Sequence, residues 1–470
     1  MFPVASDAEL LSAARIAEAT GGVCVRGSGV ARGVGTDSRT LRPGELFVAL
    51  SGEDHDGHDW IAAAIARGAE GLLVTRCPET VDPDVFVVVV EDTRKALLDL
   101  ARSYRSDLSG RVVAITGSCG KTSTKEMVAH LLAPEFTLVA AERSFNNAIG
   151  VPLTLFRMRA NTELCVVEIG TNAPGEVAML SAVAAPTIAV ITTIGRSHLE
   201  GLGSVQGVFD EKAQLLDALP PDGTVILNAD DPCCLALRQR AGRRTVRTFG
   251  VTHAADLRAE SLRPTSRGVA LRILDGAGRQ SAVELRRPGQ HNVRNLLAAL
   301  LVGDTLGVGL EAMLTQLPTL PAPARRLESK IAPSGVRVLD DSYNANPESL
   351  LAALAVLDTS TGARRRILVL GDMLELGQDR VDIHRSFAPQ LAGRVDVLVT
   401  VGPLAREAGD AFRSGGGIAV SFPDVDTMIV DLGSLFADGD LVLFKGSRRV
   451  GLDRAVDALV APQAAPGAFG

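Results

Sequence analysis

"RVVAITGSCGKTSTKEMVAHLL" runs from Arg111 to Leu132 and changes character twice. A β-branched run feeds a glycine-bearing loop, and apolar Met127, Val128, Leu131 and Leu132 then recur at helical spacing, so the order is strand, loop, helix. Backbone amides at such a helix start favour an anion. Gly117, Ser118, Cys119, Gly120, Lys121, Thr122 and Ser123 therefore read as a phosphate cradle. Lys121 supplies a point charge for the β/γ-phosphates and the Thr122 hydroxyl a ligand for Mg²⁺. The ligand this implies is a nucleoside triphosphate. The common loop puts four residues between its first glycine and the Gly-Lys pair; here that first position is Ile115, and only two residues separate Gly117 from Gly120.

Outward from the loop, short β-branched runs alternate with helix-period segments: "ELFVAL", "GLLVT" and "VFVVVV" early, "ELCVVEIG", "TIAVITTIG" and "GTVILN" in the middle, "RILVLGDM", "DVLVTVG" and "DLVLFKGS" late. That alternation predicts an α/β protein of parallel sheets covered by helices. Between Thr245 and Gln290 the period shortens and Gly and Pro interrupt it, which predicts an antiparallel excursion on the middle domain. A chain of 470 residues exceeds one core. Seams fall just before the glycine-loop strand and at "LPTLPAPARR", Leu317 to Arg326, whose prolines favour an extended linker. The expected domains are 1–108, 109–320 and 321–470, the last ending in a loose Ala/Pro/Gly tail.

Composition is that of an ordinary globular protein, with 46% hydrophobic and 22% charged residues. A net charge of −7 without a basic patch argues against nucleic acid and anionic membranes as partners. The six cysteines lack paired metal-ligand spacing, and several lie in apolar runs, which fits a reducing compartment. The start "MFPVASDAELLSAA" has no basic-then-apolar leader pattern, and the longest apolar runs are strand-length, so a cytoplasmic chain without membrane insertion is expected.

"TGSCGKTSTK" resembles the ATP loop of the Mur ligase family, the ADP-forming amide ligases of peptidoglycan precursor synthesis, and the resemblance spreads over nearly the whole chain. "TDSRTLRPGELFVALSGEDHDGH" looks like the family's uridine-nucleotide domain. "SFNNAIGVPLTLF", "EIGTNAPGE", "IGRSHLEGLGS" and "GQHNVRN" look like its central ATPase domain. "DDSYNANPES", "GDMLELG" and "FKGSR" look like its C-terminal, Rossmann-like domain. "SYNANP" is similar to the member that joins D-alanyl-D-alanine to UDP-MurNAc-tripeptide. The aromatic-alanine-histidine and Asp-Asn-Pro-Arg signatures of the member adding the third residue are absent. The implied reaction makes an acyl phosphate from a carboxylate and ATP, with Mg²⁺, and a free amine then displaces phosphate. The alternatives are a related ligase with another amine acceptor, or a nucleotide-binding protein without catalysis. A monomer is expected.

The resemblance also assigns residues. Glu168, at the end of an apolar strand, and His198, after another, would hold Mg²⁺; on the residues alone they read as a strand-end charge and a structural histidine, and Glu200 lies close to the second. Lys212, by itself a surface lysine on an amphipathic helix, would be carbamylated by CO₂ and bridge metals, although Asp210 and Glu211 depart from the family's usual context. Asn292 and Asn295 would read the adenine edge, with helix capping the alternative for Asn292. Arg326 would reach the γ-phosphate, with Arg325 its neighbour. Asp341 would meet the ribose or the metal shell, unless Asp340-Asp341 is a strand-ending turn.

For the other substrates, Asp37, Ser38 and Arg39 resemble the uridine-diphosphate contacts, beside the polar loop "GEDHDGH"; without the resemblance they are a turn. Asn146, Asn147, Thr171 and Asn172 would line the sugar-peptide side. Asn344 and Asn346 would orient the dipeptide or acyl phosphate. Lys445 and Arg448 would offer cations to its carboxylate, with dipole-balancing helix-end charges as the alternative. Convergence of three domains predicts a hinge at Leu317 to Arg326 that closes with ATP and the nucleotide substrate.

Overall fold

A computed structural model describes residues 11–52, 55–265, 267–322 and 324–461. Glu53 and Asp54 of the "GEDHDGH" loop and the Ala/Pro/Gly tail lie outside the described residues. Three sheets follow one another along the chain, with five, nine and six strands. Each is dominated by parallel pairing, as expected where helices cover both faces.

In the first sheet the strand Val23–Arg26 pairs antiparallel with Phe86–Val89, and Gly71–Val74, Leu46–Val48 and Val34–Gly35 follow in parallel. The helix Thr93–Ser106 leaves it, capped by the Asp92 side chain at the amides of Arg94 and Lys95. This helix carries the junction to the next domain. The Tyr104 hydroxyl donates to the Met158 carbonyl at 2.8 Å and Arg105 Nε to the Ala184 carbonyl at 3.1 Å. One core cluster consequently runs without a break from Leu97, Leu100 and Tyr104 into Phe156, Met158 and Val167 of the middle domain.

In the middle sheet Arg111–Thr116 lies between Ile188–Ile191 and Leu164–Glu168. Strand order reverses there, and the crevice beyond the carboxyl ends of such strands is where open α/β sheets bind ligands. The strand Thr245–Gly250 pairs parallel with Thr224–Asn228, so the antiparallel excursion is shorter than expected: it comprises Leu257–Thr265, Gly268–Asp275 and Gln280–Leu285. Apolar residues of Thr245–Gly250, Phe249 among them, continue the buried face of the parallel set.

The linker is not uniformly extended. Leu317–Thr319 forms a 3₁₀ turn, and Arg286 Nη1 and Arg287 Nη2 donate to the Pro318 and Pro321 carbonyls, pinning it to the middle sheet.

In the third sheet Glu328–Ile331 is antiparallel to Arg337–Asp341, and Leu441–Lys445, Arg366–Gly371, Val397–Val401 and Ile418–Phe422 follow in parallel. Asp341 and Lys445 are register partners, and Lys445 is also opposite Leu370. The segments "SYNANP", "FKGSR" and "GDMLELG" thus leave three adjacent strands at the same edge.

Candidate active site

The edges of the second and third sheets face each other across a cleft of about 530 Å³, within the range of small-ligand sites. On one wall the helix Lys121–Leu132 starts at Gly120 without a capping side chain, which leaves its first amides for a ligand. The loop's glycines are dictated by contact as well as by backbone. A Cβ at Gly117 would lie 2.0 Å from Thr192 Oγ1 and one at Gly120 2.4 Å from Asn295 Oδ1, and both residues have positive φ. Lys121 Nζ donates to the Gly117 carbonyl at 2.6 Å, and burial lowers its pKa. Lys125, whose pKa burial also lowers, donates to the carbonyls of Ala141 and Arg143 and holds the next loop under the site.

Glu168 ends its strand at 1% exposure. Its Oε1 accepts from Asn146 Nδ2 at 2.8 Å, whereas Oε2 is buried without a hydrogen-bond partner among the described residues. Such an orphaned oxygen is costly unless a ligand satisfies it. His198 stands in the left-handed backbone region at φ +54° and opens a short helix, Leu199–Leu202. Burial lowers its pKa; its Nδ1 lies 2.7 Å from Glu375 Oε2, and this hydrogen bond holds the Glu375 carboxyl below its usual range. Among the described residues no three His, Cys, Asp or Glu side chains gather as a metal cluster.

Lys212 corrects its residue-level reading as a surface lysine. It is 0% exposed, and its Nζ has no hydrogen-bond partner among the described residues. Burial, and secondarily the Lys121 charge, drive its pKa well down. The neighbouring Glu211 of its helix, Val205–Asp217, takes the amides of Gly175 and Val177, each at 2.7 Å, and ties the start of the helix Glu176–Ala184 to it. Asn292 corrects the capping alternative: the helix Gln290–Thr305 is capped at Gly289, and Asn292 sits within its first turn, donating to the Pro288 carbonyl at 2.8 Å. Asn295 packs between Thr124 and the loop. His291 beside them is pushed down to about 4 by burial and by the charges of Lys445 and Arg294.

The C-terminal domain supplies the opposite wall. Arg326 Nη2 donates to Thr122 Oγ1 at 3.0 Å, and its guanidinium stacks 4.2 Å from the centre of the Tyr343 ring. Arg325, by contrast, turns away to Asp453 and Asp457. Tyr343 donates to Ser144 Oγ at 2.6 Å, and Arg448 stands over the same ring at 5.1 Å. Lys445 pairs with Asp341 at 2.6 Å and donates to the Asn344 carbonyl, and burial raises the Asp341 carboxyl despite that ammonium. Asp340 is a separate buried group, paired with Lys330 at 2.7 Å. Asn346 caps the helix Pro347–Thr359 in a capping box with Ser349, accepts from the Cys119 thiol at 3.2 Å and donates to the Ser118 carbonyl at 3.3 Å. Arg196 and Glu348 form a further bridge between the walls at 3.0 Å.

Every residue assigned above to ATP, sugar-peptide or dipeptide from the second and third domains lines this cleft except Gly117 and Lys212. Glu200 does not line it either. Asn147 and Thr171 have local duties as well, Asn147 accepting from the Ile149 and Gly150 amides and Thr171 donating to Ala173 and Glu211. The Asp37–Arg39 turn lies elsewhere, on the first domain, where Asp37 accepts from the Arg39 amide and pairs with its guanidinium at 2.8 Å. Sequence reasoning missed Tyr343, Glu348, Glu375 and Glu211. Tyr343 and Glu375 stand inside "SYNANP" and "GDMLELG", but their contacts cross domains, which no local pattern reveals.

Comparison with known proteins adds three family matches: a Mur ligase family catalytic domain over residues 30–105, a Mur ligase middle domain over 115–303, and a Mur ligase glutamate ligase domain over 325–448. The chain is 37% identical over 432 residues to the UDP-N-acetylmuramoyl-tripeptide--D-alanyl-D-alanine ligase of Escherichia coli (strain K12), covering 91% of this chain and 93% of the relative. A MurF crystal structure from Acinetobacter baumannii superposes with a TM-score of 0.86 at 29% identity, over 96% of this chain and 98% of that one. The MurF ligase of Thermotoga maritima, solved in complex with ADP, gives a TM-score of 0.78 at 28% identity, over 91% and 96%.

Proposed function

This chain belongs to the Mur ligase family, and from that membership we propose that its cleft performs the ATP-dependent joining of D-alanyl-D-alanine to UDP-N-acetylmuramoyl-tripeptide. The products are the UDP-MurNAc-pentapeptide, ADP and phosphate. The observation that carries the reading is the convergence of the phosphate loop with the "SYNANP", "GDMLELG" and "FKGSR" segments on a single cleft. Two successive transfers need an electrophile and a nucleophile held on facing walls.

On this reading the amides of Lys121, Thr122 and Ser123 bind phosphate oxygens, and Lys121 exchanges the Gly117 carbonyl for the β/γ-phosphates. Arg326, already at the Thr122 hydroxyl, reaches the γ-phosphate from the other domain and stabilises the charge that develops as the tripeptide carboxylate attacks. Asn292 and Asn295 hold the adenine edge. Asn146, Asn147, Thr171 and Asn172 orient the sugar-peptide. Asn344, Asn346, Lys445 and Arg448 hold the dipeptide, whose free amine attacks the acyl phosphate and expels phosphate.

Mg²⁺ keeps several waters and needs only one or two protein oxygens beside phosphate. The unpartnered Glu168 Oε2 and the Thr122 hydroxyl suit it, with His198 as a further ligand. When bound, it neutralises charge between the attacking carboxylate and the phosphates. The buried amine of Lys212 favours its neutral form, which is the form that reacts with CO₂, and this supports carbamylation as the source of an additional carboxylate. Asp37, Ser38 and Arg39 bind the uridine diphosphate on the first domain, and the chain acts as a cytoplasmic monomer that opens and closes about Leu317 to Arg326. Among the described residues no helix is long and apolar enough to cross a membrane.

The test is incubation with ATP, Mg²⁺, UDP-MurNAc-tripeptide and a panel of amines. Mass spectrometry should find the pentapeptide nucleotide with D-alanyl-D-alanine. ATP binding without product for any amine would overturn the reading.

A further inference from the structure

Two non-glycine residues in the left-handed backbone region meet across the mouth of the cleft: His198 at φ +54° from the middle domain and Glu375 at φ +64° from the C-terminal domain. Such conformations persist only where the surroundings impose them, and they gather at functional sites. The surroundings here are specific. The Glu200 amide donates to the Glu375 carbonyl at 3.1 Å, and the Leu374 amide donates to Ser447 Oγ at 2.9 Å, fixing the backbone on both sides of the carboxylate's attachment. A Cβ at Gly377 would stand 3.3 Å from the Leu199 carbonyl, so the two segments lie against each other. The outcome is a 2.7 Å contact between His198 Nδ1 and Glu375 Oε2.

An exposed histidine–carboxylate pair adds little to stability by itself, and Glu375 is 44% exposed at its side chain. Two strained backbones and a fixed approach angle are more than such a pair calls for. They match what a histidine about to ligate a metal needs: a carboxylate on one ring nitrogen, which sets the tautomer and ring orientation and leaves the other nitrogen as the ligand.

We propose that Glu375 is a positioning residue that orients His198 through Nδ1, and that it does so from the opposite domain, so that completion of the metal site and docking of the C-terminal domain are one event. The inference rests on the reading of His198 as a metal ligand. Because the orienting carboxylate arrives with the moving domain, metal bound with nucleotide favours closure, and closure tightens metal binding by the same factor.

Mn²⁺ titrated into the full chain with a non-hydrolysable ATP analogue, followed by electron paramagnetic resonance, tests this without turnover. Glu375→Ala should weaken Mn²⁺ binding by about 10- to 100-fold. Glu375→Gln, whose amide oxygen still accepts from Nδ1, should stay within about threefold of the parent. In a His198→Ala background the Glu375→Ala change should cost nothing further, and small-angle scattering should find Glu375→Ala more extended than the parent with analogue and Mn²⁺ present. The comparison is made among chains with the parent's melting temperature; if Glu375→Ala folds poorly, Glu375→Met, which keeps the side chain's bulk but offers Nδ1 no oxygen, takes its place with the same expected loss. Parent-like Mn²⁺ affinity in Glu375→Ala, equal losses in Ala and Gln, or an undiminished loss in the His198→Ala background would each overturn the proposal. A parent chain that takes up no Mn²⁺ with the analogue would instead refute the metal reading beneath it.

Discussion

The phosphate loop and the Asp37–Arg39 turn each carry a cation that we assign to a phosphorylated ligand, but they hold them differently. Lys121 is tucked in the cleft against a backbone carbonyl, and burial already weakens its hold on its proton. Arg39 lies 83% exposed at its side chain and is neutralised by Asp37, which in turn raises its pKa. A desolvated cation resting on a neutral carbonyl gains a great deal when an anion arrives, whereas a solvated one must first leave its own carboxylate. Burial therefore ranks the two sites by energy where charge counting would call them equal.

The largest break in that ranking is Lys121→Ala, expected to lower kcat/KM by about 10²- to 10³-fold, the scale of losing a charge aimed at the transition state. Steady-state ADP release with unchanged circular dichroism checks it. Next comes Lys212→Met. Burial draws the Lys212 pKa well below the 10.5 of the unfolded chain, which therefore holds the proton more tightly, so stability rises with pH towards 10.5. Removing the amine should raise the melting temperature at neutral pH by roughly 2–6 °C while ligation falls by about 100-fold. Melting and turnover of the same preparation separate the two effects, and unchanged ligation would make the burial structural only.

A smaller effect concerns pH. His291, shifted from 6.5 to about 4, stays neutral in the fold while the unfolded chain protonates it. Stability is intact above 6.5 and is lost as pH falls towards 4, so His291→Gln should flatten the melting-temperature profile across that window. Arg39→Ala should do least: a KM increase of a few-fold for the uridine nucleotide, with ATP affinity and melting temperature unchanged. A weakened ATP affinity in that variant would show that the turn is coupled to the cleft after all.

The same contrast explains what could be read from the chain. The phosphate loop was legible because its requirements are local: a strand, glycines at positive φ and a helix start all fall within twenty-two residues. Glu168 by itself reads only as a strand-end charge, and its assignment comes from the family resemblance; its strand lies beside the loop strand. Lys212 was not legible, since "FDEKAQLLDAL" reads as a solvated helix until Glu211 ties the start of the helix Glu176–Ala184 to it. Thr245–Gly250 reads as part of the antiparallel set because strand direction is decided by its pairing with Thr224–Asn228, which its own residues do not encode. Tyr343, Glu348 and Glu375 owe their places to partners in another domain, at sequence separations of 199, 152 and 177.

The apolar cluster that passes from Leu97 and Tyr104 into Phe156 and Val167 leaves no solvated boundary between the first two domains, while the third sheet is flanked by two clusters of its own. Cooperativity follows shared packing. On heating, the first 300 or so residues should melt as a single calorimetric unit and the C-terminal third as a second one. The hinge we propose thus coincides with the fault line along which the molecule is expected to come apart.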